Sequence, residues 1–416
     1  MIPKSATNAV VVFLGFLSFL LSLSVLKYFR FPMDNISNHA VFCIVMTSAT
    51  VFALDFFWQK VHLRSSTGLD FSRTNPSWSR TSVKVLGLLG SLGFLAFLYW
   101  IFPEYQGSFY FNYWQLIKII SPFWAVLAIP YFYLIDQRML EPEDGYWQMG
   151  QLFLLNFNKS SGNLLGQHLL GWLVKGFFLP LMFCYFCQDL IKFESFDFFR
   201  INNFKAFFDF TYDHIFLLDV GIVCVGYLMS LKLFDTHLRS SEPTMFGWSV
   251  ALFCYEPFWS LFGRQYLSYS TDFSWGAWSG ENSILYILWG STILLLFAVY
   301  VWASVIFGCR FSNLTHRGII TNGPYRYSKH PAYVAKNIAW WMTAVPFLAH
   351  QGAGEAIKKS LLLLMLNGIY FLRAKTEEKH LSKDPAYVQY AKWIDENGFL
   401  KKLNQLSFLN FLHYKG

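Results

Sequence analysis

The sequence predicts an all-α protein, a polytopic transmembrane helical bundle of about ten spans with both termini in the cytoplasm. Of its 416 residues, 55% are hydrophobic and only 14% are charged, whereas a soluble domain is nearer one quarter charged. Aromatic residues reach 20%, which suits lipid-facing surfaces and interfacial belts. Apolar runs recur along the chain, many of them near the roughly 20 residues with which an α-helix crosses about 30 Å of hydrocarbon.

The apolar runs locate the predicted spans, and the basic residues orient them. The first run, 8–28, is too long for the apolar region of a signal peptide and lacks a small-residue cleavage site, so we expect it to remain as the first span. The segment 59–81 is rich in Lys and Arg and is expected inside, whereas 103–113 has neither and is expected outside. Lys358 and Lys359 oppose this alternation, because they fall on a predicted outer hairpin. The predicted spans are 7–28, 38–58, 83–102, 114–134, 166–188, 214–233, 245–263, 284–308, 333–350 and 356–373.

The net charge of +8 does not indicate a nucleic-acid partner. The basic residues fall mostly in short loops between apolar runs, where they face anionic cytoplasmic lipid. Cys184 and Cys187 form a C-x-x-C pattern, but no second Cys or His pair completes a ligand set beside them. We therefore interpret both as buried structural thiols and predict no metal site.

A polar segment, TNGPYRYSKHPAY (321–333), lies between the eighth and ninth predicted spans. Asn322-Gly323-Pro324 is typical of a turn, with the glycine permitting a positive φ. Pro331 fits the first turn of a new helix, where its missing N–H is not needed. The loop should therefore present its polar side chains at a helix N-terminus, whose free N–H groups attract anions.

A second polar segment, RAKTEEKHL (373–381), continues the tenth apolar run out of the membrane. On a helix Arg373 and Glu377 are i,i+4 neighbours on one face, and Glu378 lies about 100° round from Glu377. Asp384-Pro385 then predicts the start of a final helix. Spacing alone leaves two interpretations open: functional charges at the membrane edge, or an ordinary helix ion pair beside a cytoplasmic basic cluster.

GPYRYSKHPAY (323–333) and RAKTEEKHL (373–381), followed by DPAYVQY (384–390), resemble the isoprenylcysteine carboxyl methyltransferase family and its phospholipid methyltransferase relatives. These are integral membrane methyltransferases that use S-adenosylmethionine. The motifs match in order and separation, and the resemblance covers roughly 284–396. One position departs from the family pattern, because Ala335 stands where the family has glycine. This methyl group could narrow the approach of the cofactor or mark a shifted helix contact.

The resemblance implies that S-adenosylmethionine is held on the cytoplasmic side by the loop that ends in His330-Pro331 and by the helix that carries the paired glutamates. Its carboxylate would suit His330 and the helix N-terminus that begins at Pro331. Its amino group would suit Glu378, and Tyr325 and Tyr333 could pack on adenine or ribose. We refer to these two elements below as the HP loop (321–330) and the EE helix.

The resemblance also implies a catalytic pair, Arg373 and Glu377, between the methyl donor and a lipid-like or isoprenylated acceptor, either a small molecule or a protein. Arg373 would anchor an acidic acceptor such as a carboxylate, and Glu377 would be the base for an amine. Glu256, in an apolar run beside Pro257, is a further candidate for acceptor binding. We divide the chain into 1–283, with acceptor recognition as a candidate role, and a catalytic region 284–416. The bacterial inner membrane and the endoplasmic reticulum fit equally well.

Two other functions remain open at this level. A membrane sterol or enone reductase that uses NADPH has a similar length, about ten spans and a distantly related C-terminal cofactor region. The paired glutamates beside the HP loop favour the methyltransferase. A non-catalytic scaffold or a transporter would not need the cluster of Arg373, Glu377 and Glu378.

Overall fold

The computed structural model describes residues 2–29, 35–271, 273–280, 283–399, 401 and 414, and over these residues the all-α class is confirmed. The end of the predicted catalytic region, 402–413 with 415 and 416, lies outside them. One short antiparallel pair, β1 (Ser240–Ser241) with β2 (Thr315–His316), accompanies the helices. In chain order the helices are α1 (Ala9–Phe29), α2 (Ile36–Ala53), α3 (Trp78–Ile101), α4 (Phe111–Asp136), α5 (Gly145–Phe153), α6 (Gly162–Ser195), α7 (Phe204–Leu228), α8 (Met245–Leu252), α9 (Arg264–Tyr266), α10 (Trp275–Ser279), α11 (Ile284–Val305), α12 (Pro331–Ala344), α13 (Ala353–Leu381) and α14 (Pro385–Asn397).

Within the described residues, 6 helices are long and apolar enough to cross a membrane. They coincide with the first five predicted spans and the eighth, and they support an integral membrane protein. The other four predicted spans correspond to α7, to the broken segment 245–263, to α12 and to α13. The candidate spanning helices are Ala9–Phe29, Ile36–Trp58, Trp78–Ile101, Ser108–Asp136, Gly162–Ser195 and Ile284–Val305.

Two predicted spans are not continuous helices, and prolines give the physical reason. The segment 245–263 breaks after α8, because Pro257 lacks an N–H and restricts Glu256 before it. The predicted span 333–350 stops at Ala344, where Val345 takes φ +36° and Pro346 follows. With 14 residues, α12 is about 21 Å long and therefore shorter than the hydrocarbon layer.

The bundle core forms where α6 and α7 pack on α1, α2 and α11. Both predicted structural thiols, Cys184 and Cys187, are free and fully buried in it. A second contact joins α3 to α5, where Gly87 faces the backbone of the neighbouring helix. A Cβ on Gly87 would lie 1.8 Å from the carbonyl oxygen of Tyr146, so only glycine permits this approach.

A buried arginine joins the end of α7 to the segment that follows α11. Arg317 is 3% exposed, and its guanidinium donates hydrogen bonds to backbone carbonyls on both sides. The β1–β2 pair connects the same two parts of the chain. The region 1–283 is thereby bonded directly to the segment that precedes the HP loop. The acceptors are the carbonyl oxygens of Gly226, Met229, Thr236, Cys309 and Phe311.

Candidate functional site

The HP loop is held by its own turn and by α14. Gly323 takes φ +55°, which confirms the predicted positive φ. The hydroxyl of Tyr390 donates to the carbonyl oxygens of Tyr325, at 2.6 Å, and of Ser328, at 3.2 Å. Pro331 occupies the first turn of α12 with His330 before it, as predicted. The final helix, α14, thereby fixes the HP loop, and the imidazole of His330 points toward α13.

His330 lies between the two consecutive glutamates of α13. Its Nε2 donates to Oε1 of Glu378 at 3.2 Å, and its Nδ1 lies 3.7 Å from Oε2 of Glu377. The hydroxyl of Tyr333 donates to Glu377, and the rings of His330 and Tyr333 stack with centroids 5.5 Å apart. The predicted splay of the two carboxylates therefore lets each of them approach a different edge of one imidazole.

Glu378 is 5% exposed and surrounded by positive charge. Lys375 Nζ lies 2.8 Å from its Oε2, and Lys329 Nζ lies 3.2 Å from its Oε1. Burial alone would raise the pKa of this carboxyl, but the hydrogen bond and charge of His330, with the two lysines, outweigh burial and lower the pKa to about 2. Glu378 is therefore a fixed negative charge at neutral pH, and it holds His330 in one orientation.

Arg373 is 5% exposed and is oriented by residues from outside its own helix. One of its terminal nitrogens donates to Asn313 Oδ1 at 2.7 Å, and its Nε lies 3.6 Å from Glu377. The guanidinium lies over the rings of Tyr255 and Tyr333, 5.4 and 5.2 Å from their centroids. The predicted i,i+4 pairing of Arg373 with Glu377 is thus present, inside an aromatic clamp.

A cavity of about 400 Å³ opens beside these residues. This volume falls in the range of pockets that bind small molecules and cofactors, roughly 300–1,000 Å³. Its wall combines α12 to α14 with α6, α7 and Tyr255, so both halves of the chain build it. Within the described residues no group of His, Cys, Asp and Glu could hold a metal ion. Of the predicted site residues, those that line the cavity are Tyr325, His330, Tyr333, Arg373 and Glu377.

Three predicted residues lie elsewhere. Pro331 begins α12, and Glu378 lies behind His330 rather than in the cavity wall. Glu256 is not brought to the cavity, because its carboxylate accepts a hydrogen bond from Ser260 at 2.8 Å and pairs with Arg264 at 3.3 Å. Its neighbour Tyr255 lines the cavity instead.

Several cavity residues were not predicted from the sequence. Asn313 links Tyr227 and Tyr255 to Arg373, and a lone Asn in a loop gives no signal for this role. Tyr387 lines the cavity, is 3% exposed, and its hydroxyl has no hydrogen-bond partner among the described residues. Its position in the predicted terminal helix, beside other spaced tyrosines, was the available signal. Ala335 is buried and is not part of the cavity wall, which favours a helix contact as the role of its methyl group.

Comparison with known proteins gives one match. Residues 284–383 match the model of the isoprenylcysteine carboxyl methyltransferase (ICMT) family. No curated protein and no solved structure matches the chain. The matched region contains both motifs and all of α11, α12 and α13, and it supports a membrane methyltransferase. Residues 284–383 of this helical membrane protein are therefore similar to the isoprenylcysteine carboxyl methyltransferase family, as the two motifs indicated.

Proposed function

We propose that the chain transfers the methyl group of S-adenosylmethionine to a lipid-like or isoprenylated acceptor, a carboxylate among the candidates. One observation carries the proposal: His330, Tyr333, Arg373 and Glu377 converge on one cavity within the ICMT-family domain. The domain alone supports only the coarser function, and the side chains in the cavity suggest the cofactor.

The cavity's side chains fit a ligand that carries both signs of charge and an aromatic base. His330 and Arg373 suit a carboxylate, Glu377 suits an ammonium group, and the tyrosines offer flat surfaces. The buried hydroxyl of Tyr387 supports a polar ligand, because such a group is costly when it is left unpaired. Tyr325 and Tyr333 remain the candidates for the adenosine part.

Bound S-adenosylmethionine would supply a methyl group attached to a positively charged sulfur. Transfer of this methyl group to the acceptor breaks the carbon–sulfur bond and leaves a neutral thioether. The residues of the chain then have to align the partners and exclude water. Glu378, held by two lysines, orients His330. Arg373, fixed by Asn313, orients an acidic acceptor, and Glu377 would accept the proton of an amine acceptor.

We propose acceptor recognition as the role of the region 1–283. Apolar side chains of α6 and α7, among them Met182, Phe216 and Val223, line one side of the cavity. A lipid-like chain could pack there while its reactive end faces Arg373. Glu256 has no part in this proposal, because it lies outside the cavity wall.

Thermal unfolding of the purified protein in detergent tests the cofactor. A ligand that binds only the native state raises the melting temperature. At a ligand concentration of a hundred times the dissociation constant, the free energy of unfolding rises by about 2.7 kcal/mol. We expect S-adenosylhomocysteine to do so and NADPH to have no effect. Stabilisation by NADPH alone would favour the reductase, and no response to either ligand would favour a scaffold or a transporter.

Variants of the site test the residue assignments. His330→Ala and Glu378→Gln are each expected to abolish binding of S-adenosylmethionine in calorimetry while the protein still elutes as a folded species. Glu355→Gln is the matched control, because Glu355 also pairs with lysines on α13 but lies at the other end of the helix. Unchanged affinity in both site variants would remove the assignment.

A further inference from the structure

Lys336 differs from the other Lys and Arg residues that line the cavity. Each of the others has polar partners: Arg310 pairs with Asp235, Arg317 binds backbone carbonyls, Lys329 pairs with Glu378, and Arg373 binds Asn313. Among the described residues Lys336 forms no ion pair and no hydrogen bond, although its side chain lines the cavity.

Lys336 is held by aromatic rings instead. Its Nζ lies 5.0 Å from the ring centroid of Tyr300, 5.1 Å from that of Trp340 and 5.8 Å from that of Tyr370. These rings come from α11, α12 and α13, so three helices fix the position of the ammonium group. Cation–π contacts of this kind stabilise a cation, but they do not neutralise it.

The nearby carboxylate of Asp219 has other partners. Tyr300 donates to its Oδ2 at 2.8 Å, and the Ser304 hydroxyl also approaches it. The charges of Asp219 and Lys336 attract each other, but the two side chains form neither a hydrogen bond nor a close ion pair. The ammonium of Lys336 thus has a distant counter-charge but no hydrogen-bond acceptor among the described residues, and an anionic ligand in the cavity would supply one.

The position of Lys336 indicates which ligand supplies the anion. It follows Tyr333 by three residues and therefore lies on the same face of α12, about 4.5 Å further from the helix start. The proposed cofactor contacts lie at that start, around His330. The same cavity is also lined by apolar side chains of α7, namely Phe216, Val220 and Val223.

We propose that Lys336 is a specificity-determining residue that binds a negatively charged group, a carboxylate or a phosphate, on an amphiphilic acceptor whose apolar part packs against α7. This inference rests on the proposed function in one respect, because that function makes the amphiphile the methyl acceptor. Binding of the anion itself can be measured without turnover.

Binding of matched amphiphiles to the purified full chain in neutral detergent tests the inference. The probes are octanoate, octyl phosphate and octanol, which share one apolar chain and differ in the head group. We expect at least one of the two anions to bind roughly tenfold more tightly than octanol, equivalent to about 1.4 kcal/mol. The stronger anion identifies the head group, carboxylate or phosphate.

Variants at position 336 and at a control position show whether anion binding depends on Lys336 or on the positive charge of the protein in general. Lys336→Met should remove the preference for the anion, and Lys336→Arg should retain it. Lys358→Met is the matched control, because Lys358 is exposed on α13 outside the cavity, and it should behave as the wild type. Lys336→Gln replaces the Met variant if the latter elutes as an aggregate.

Two results would overturn the inference: a wild-type protein without anion preference, or a neutral variant at position 336 that keeps it. The proposed function fails separately, through the absence of stabilisation by S-adenosylhomocysteine. Anion binding that depends on Lys336 would then stand, but the bound amphiphile would no longer be a methyl acceptor.

Discussion

The environment of Glu378 gives a quantitative prediction for Glu378→Gln. The amide keeps the shape of the side chain and removes its charge. A pKa that falls from 4.5 to about 2 corresponds to about 3 kcal/mol in favour of the charged, folded form. Lys375 and Lys329 lose this partner, although Lys329 keeps Asp395 at 3.2 Å. We therefore expect a loss of up to about 3 kcal/mol at pH 7, and a lower melting temperature.

The pH dependence gives the refuting result for Glu378→Gln. Because the folded-state pKa of Glu378 is depressed, its stabilisation is fully present above about pH 4.5 and is lost as the pH falls toward 2. Melting temperatures of wild type and variant, measured in one detergent from pH 7 down to pH 3, should therefore converge on acidification. A gap that stays constant, or that widens at low pH, would contradict the assigned cause of the depressed pKa.

Two further predictions concern the cavity and the packing of the bundle. Tyr387→Phe should leave the melting temperature unchanged or slightly raised, because the Tyr387 hydroxyl has no partner among the described residues. Calorimetry should show roughly two- to tenfold weaker binding of S-adenosylhomocysteine to this variant. Unchanged affinity would exclude a ligand contact for Tyr387. Gly87→Ala should destabilise the protein by about 1–3 kcal/mol or more, because its Cβ would meet the carbonyl oxygen of Tyr146. Gly93→Ala on the same helix, with no atom within 4 Å of the new Cβ, should have little effect, and equal melting temperatures for the two variants would contradict the close packing of α3 on α5.

The HP loop and the polar end of α13, residues 373–381, could be predicted because each is marked by short-range sequence patterns. A glycine that needs a positive φ, a proline in a first helical turn and an i,i+4 ion pair are each set by a few neighbouring residues. Their meeting in space was implied by the family resemblance and not by the local pattern. The structure brings them together with 3.2 Å between His330 and Glu378.

The breaks in two predicted spans could not be placed from the sequence alone. Pro257 and Pro346 follow helix ends, yet α4 contains Pro122 and Pro130, and α6 contains Pro180, without ending there. Whether a helix continues past a proline depends on whether neighbouring helices satisfy the freed carbonyls and tolerate a kink. That is a property of tertiary packing, which hydrophobicity along the chain does not record.

The residues that complete the cavity from outside the family domain were missed for a related reason. Tyr255 lies in an apolar stretch where nothing marks it as different from other membrane residues, and Asp219 is only one of several charged residues in the apolar runs. Their role arises from contacts across the fold, such as Asn313 between Tyr255 and Arg373. Glu256 was predicted to bind the acceptor because it is charged, whereas the side chain that reaches the cavity is that of its neighbour Tyr255.

Arg317 makes the structure of the cavity depend on the segment that ends α7 and follows it. The carbonyls of Gly226, Met229 and Thr236 precede this arginine in the chain, and the guanidinium is satisfied only when all of them are in place. A buried guanidinium that finds only some of its acceptors pays a large desolvation cost, so partial assembly is unfavourable. A substitution at Gly226, near the end of α7, would therefore perturb the cavity although Gly226 does not line it.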